Sequence, residues 1–163
     1  RGVAVRDFLD HPELLDDPEP EATFDDVVRA LTYAPVALFV LVAGADGDID
    51  KKEAMAFPVG LATTLSVDNE LVQESLVHCL QGFPALFEEL VRGGPDACLH
   101  ALIAVRIAAS NALGADADVY CHALYTLAED IAKASGGSLF GFGKKIGKEE
   151  QIVLDVLQKI LRD

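Results

Sequence analysis

Several things are scarce in this chain of 163 residues: there is no tryptophan, one methionine, and aromatic residues make up only 7%. Basic residues are few, 13 Lys and Arg against 27 Asp and Glu, giving a formal net charge of -14. A surface so poor in cations excludes nucleic acid as a partner, because phosphate binding needs a basic face. It favours cationic partners: metal ions, or basic patches on other proteins. Cysteine is also sparse. Cys79, Cys98 and Cys121 are odd in number and widely spaced, with no C-x-x-C. That argues against a disulfide framework and points to a reducing cytoplasm. No leader pattern is readable in the first residues. The longest uncharged apolar run, Ala34 to Ala45, is too short to span a bilayer and reads as a buried core helix. No segment alternates apolar and polar residues as a strand does.

What remains is ample for a core. Hydrophobic residues make up 51%, and the length suits one domain. Residues 1–22 form an acidic lead-in broken by Pro12, Pro18 and Pro20, whose Val3, Val5, Phe8 and Leu9 are suited to covering a groove. The helical domain is expected over 23–163. Thr23 with Asp26 marks a helix start, and Pro35 predicts a break before a second helix to Ala43. Asp50 and Glu53 have capping-box spacing for a helix over 51–65, kinked at Pro58. Ser66 or Asp68 caps the next, to about Gln81. Gly82-Phe83-Pro84 and Gly93-Gly94-Pro95 predict two further breaks. Asp96 to Leu113 is apolar nearly all round over 97–109, so it is expected at the centre of the bundle. Helices over 116–134 and 148–161 follow, the last with Ile152, Val153, Val156, Leu157, Ile160 and Leu161 at core spacing. The expectation is an all-α bundle of two related halves, each an apolar helix followed by an acidic turn and another helix.

The densest chemistry lies at Asp46, Asp48, Asp50 and Glu53, four acids in eight positions around Gly47. Carboxylates so crowded repel one another unless solvated or given a cation. One reading is a capped turn, with Asp50 as N-cap, Glu53 bonding back to it and Gly47 in a left-handed conformation. The other is a site for a hard divalent ion such as calcium, which accepts six to eight oxygens. An EF-hand is excluded, since Lys51 stands where its glycine belongs and Phe57 where its closing glutamate belongs. The pairs His78-Cys79, Cys98 with His100, and Cys121-His122 read as core thiols beside ordinary histidines. Residues one apart diverge by about 100° on a helix and do not share an ion. A glycine-rich loop over 136–147 carries Leu139, Phe140, Phe142, Lys144 and Lys145, fit either to fold back on the bundle or to touch an anionic membrane surface or partner groove.

An apolar helix running into Ala45-Asp46-Gly47-Asp48-Ile49-Asp50, with Glu53 opening the next, resembles the TerB (tellurite-resistance) domain family. Ala132-Lys133-Ala134-Ser135-Gly136-Gly137 before a Gly/Phe/Lys loop and a Glu-led final helix is similar to longer TerB-like proteins. The likeness covers about residues 24–161. It implies seven or eight helices in two repeated halves. It also implies a non-enzymatic, cytoplasmic role in tellurite and stress resistance at the inner face of the membrane, with protein partners of the Ter system. It further implies a divalent-metal site at the Asp46–Glu53 turn. In the second half, Asn111-Ala112 replaces the expected Asp-Gly. Two rivals stand beside this reading: a metal-free helical adaptor for protein or membrane partners, and a thiol-dependent enzyme of tellurite detoxification.

Overall fold

The computed structural model describes residues 23–45, 47, 49, 54, 57–58, 60–61, 65–135 and 146–163. Among them there is no strand, and four helices carry the fold: α1 (Phe24–Ala43), α2 (Glu70–Ala112, kinked at Gly94), α3 (Asp116–Ser135) and α4 (Lys148–Leu161). Ala54, Phe57, Pro58, Gly60 and Leu61, between α1 and α2, are also helical. The chain is all-α. The described helices are fewer than the seven or eight expected, because two of the expected breaks are bridged.

The first bridged break is Pro35. Thr23 begins α1 with a complete capping box: its hydroxyl accepts from the Asp26 N–H, and Asp26 Oδ2 accepts from the Thr23 N–H at 3.0 Å. Those bonds to Thr23 hold the Asp26 carboxyl below its usual range. The helix then runs straight through Pro35. Proline has no N–H, so the carbonyl four residues back, on Leu31, loses its helical partner. Tyr120 of α3 replaces it, its hydroxyl donating to the Leu31 carbonyl at 3.4 Å. Tyr120 is 1% exposed, and burial pushes its phenol well up, so it remains a donor. Tyr120→Phe should therefore cost about 1–3 kcal/mol, by leaving a buried carbonyl unpaired. In a Pro35→Ala background, where an amide is restored, the same change should cost far less. Urea unfolding showing equal costs in both backgrounds would refute the pairing.

The second bridged break is Pro84. Pro84 is exposed, as is Leu80, whose carbonyl it leaves without a helical partner, and α2 continues. The break at Gly94 is real. Gly94 has φ 78 and ψ -172, a left-handed conformation that a side chain resists, and it kinks α2 into two helices. Pro95 then starts the second half at the one helical position that suits proline. The N-cap of α2 is Asn69, not Ser66 or Asp68: its side-chain oxygen accepts from the Leu71 and Val72 amides.

The central helix is α1, with thirteen of its 20 residues buried. By length and composition α1 is also able to cross a membrane, but most of it is enclosed by the other helices. It runs antiparallel to the second half of α2, so that Asp26 and Arg29 lie by Ala104 while Val40 and Gly44 lie by Gly94. Residues 97–109, expected at the centre, instead bury one face only, through Cys98, Leu102, Val105 and Ala109. Ile103 and Ile107 face outward, 46% and 58% exposed. In α4 the buried stripe is Glu150, Leu154, Leu157 and Leu161. Ile152 and Val156, expected inside, are exposed, because Leu154 sets the inward direction and places them off it.

Candidate functional site

The acidic turn begins where α1 ends. The Gly44 N–H donates to the Val40 carbonyl at 3.0 Å, and the Ala45 N–H to Val42 at 3.3 Å. The Gly47 N–H then closes on the Gly44 carbonyl at 3.0 Å. Gly47 has φ 102, so the left-handed glycine expected here is present. Beyond it Ile49 packs against the core. Asp46, Asp48, Asp50 and Glu53 themselves lie outside the described residues. So do residues 1–22 and Leu139, Phe140, Phe142, Lys144 and Lys145. Phe57, the residue that stands in place of an EF-hand glutamate, is buried and stacks on Phe39 with ring centroids 4.5 Å apart.

Next to the turn is a feature that the sequence did not announce. A cleft of about 740 Å³ opens between the end of α1 and the kink of α2. Gly44, Ala45, Gly47 and Ile49 form one wall, and Val91, Gly94 and Pro95 the other. Val40, Phe87 and Val153 of α4 also line it. Every one of these residues is apolar. The size is that of a ligand or side-chain pocket. The signal in the sequence was Gly93-Gly94-Pro95, legible as a helix stop but not as one side of a cleft.

The second turn offers a contrast. It too has a left-handed glycine, Gly114 at φ 55. Its acids already have partners: Asp116 accepts from the Asn69 side-chain amide at 2.9 Å, and Asp118 lies 3.6 Å from Arg106. That leaves little for a second ion to do.

The Cys/His pairs divide as helical geometry requires. Cys79, Cys98 and Cys121 are buried, while His78, His100 and His122 are exposed. Among the described residues no three His, Cys, Asp or Glu gather as a metal site. Burial pushes the Cys79 thiol up to about 12 and the Cys98 thiol up to about 11. Cys121 is also raised by burial, which outweighs the opposing pull of Arg106 at 3.6 Å from its sulfur. Thiols held protonated are poor nucleophiles.

No protein-family model, curated protein or solved structure matches this chain.

Proposed function

We propose that this chain is a TerB-like, acidic, non-enzymatic interaction protein of a bacterial tellurite and stress-resistance system. It would act in the cytoplasm at the inner membrane face, with its two halves built on α1 and on the second half of α2. Its partner binds in the apolar cleft, and the turn beside the cleft is its cation-responsive element. Asp46, Asp48, Asp50 and Glu53 would hold the ion. As a donor set they fit a hard divalent cation such as calcium, which takes carboxylate oxygens. The observation that carries the reading is that Gly44 and Ala45, which lead into those acids, and Gly47 and Ile49, which alternate with them, also line the cleft. Whatever neutralises the acids therefore acts on the shape of that wall. A bound ion would relieve their mutual repulsion and supply a fixed centre of charge.

The test is a calcium titration of the full chain followed by its methyl NMR spectrum. Val40, Ile49, Val91 and Val153 should shift together, while Leu124, buried in the middle of α3, should not. Shifts absent from the cleft would separate the ion from the partner site. A metal-free adaptor is the second reading, favoured by the backbone bonds that themselves close 44–47. In that case the cleft is permanent and chelators leave partner binding unchanged.

A further inference from the structure

The cleft beside the α2 kink has an apolar lining and acidic surroundings, and the two together narrow what it takes. Among its described lining residues no side chain carries a charge. Their immediate neighbours in the chain are mostly acidic: Asp46, Asp48, Asp50, Glu53, Glu88 and Asp96, against the single cation Arg92. Glu88 and Asp96 are exposed, on either side of the kink and next to Phe87 and Pro95. On α4 the exposed Glu149 lies about one turn before Val153. None of these three has an ion-pair partner among the described residues. Glu89, by contrast, accepts from the Tyr33 hydroxyl at 2.8 Å and belongs to a separate groove.

An apolar cleft with an acidic rim repels fatty acids and other anions and attracts a cation with an apolar body. An extended peptide docks by pairing with an open sheet edge, and no strand exists among the described residues to offer one. A helix needs only apolar anchors on one face. Resting on the reading that the cleft is the partner site, we propose that its occupant is a basic amphipathic helix. Its large apolar side chains fill the space between Val40, Phe87, Val91 and Val153, and its flanking lysines or arginines face Glu88, Asp96 and Glu149. The apolar contacts hold the partner, and the rim selects its charge.

The probe is a fluorescently labelled helical peptide of leucine and lysine, with leucines along one face, and a counterpart carrying glutamate for every lysine. Anisotropy is measured with the full chain in chelator, which keeps any ion out of the result. The lysine peptide should bind and the glutamate peptide should not. Val91→Asp should weaken the lysine peptide at least about tenfold, because it sets a charge against the apolar face. Ile107→Asp, on the outward face of α2, should not weaken it. Both positions are exposed, so the helical circular-dichroism signal should be retained. Glu88→Lys with Asp96→Lys should weaken binding severalfold, by a factor that shrinks as salt is raised. Three results overturn the proposal. One is no binding of the lysine peptide to wild type. Another is equal binding of the glutamate peptide, which would keep the cleft as a docking site but not for a basic partner. The third is binding that Val91→Asp leaves unchanged or tightens, which would make the association electrostatic and place it outside the cleft. None of these touches the methyl shifts expected on adding calcium, so the two readings fail separately.

Discussion

Phe39→Ala should destabilise the protein by about 3–5 kcal/mol, the range for truncating a buried phenylalanine. Phe39 is 2% exposed and sits on α1 against three other rings. Phe57 stacks on it, and Phe83 and Phe87 of α2 are tilted against it at 6.5 and 6.1 Å. Phe83 also meets Phe57 and Phe87, at 5.6 and 5.8 Å, so the four rings form one cluster. Truncating Phe39 removes three ring contacts at once, each worth about 0.5–1.5 kcal/mol beyond burial, and leaves a cavity beside the cleft. The control is Phe24→Ala, on the same helix but 55% exposed, where a change within about 0.5 kcal/mol is expected. Denaturant midpoints at equal slope would measure both. If Phe39→Ala cost no more than Phe24→Ala, the cluster would not be the anchor joining α1 to α2.

Helix starts were partly legible: the cap of α1 is a local event that the sequence shows, whereas the cap of α2 fell on Asn69 and not on Ser66 or Asp68. Thr23 with Asp26 opened α1, and α4 occupies 148–161 as expected. Helix breaks were less legible. Proline reports a missing amide, but not whether something else serves the freed carbonyl; Tyr120 does so for Leu31, 89 residues away. At Gly94 the helix does break, because the backbone itself has turned left-handed. Which face of an apolar helix docks was not legible for 97–109, since Ile103 and Leu102 look alike to any count of hydrophobic residues. Only the position of α1 decides between them. The acidic turn was fully visible as sequence, and its glycine conformation followed. The cleft was not, since Val40, Phe87, Gly94 and Val153 meet only in three dimensions.

The central functional claim is that the Asp46–Glu53 turn takes a divalent cation, and its consequence for stability is large. A ligand that binds the folded chain alone stabilises it by about 2.7 kcal/mol at a hundred times its dissociation constant. The unfolded chain keeps the same four carboxylates but not the turn closed at Gly44 and Gly47 that would gather them. The effect of calcium should therefore fall mainly on the folded state. Asp48→Asn with Asp50→Asn removes two donors and two of the mutually repelling charges. That variant should be at least as stable as wild type without calcium, yet should gain nothing from it. The deciding measurement is thermal unfolding of wild type and of this double variant, each in excess calcium and in chelator. The account predicts a calcium-dependent rise in melting temperature for wild type alone. No rise in wild type, or an equal rise in both proteins, would contradict it.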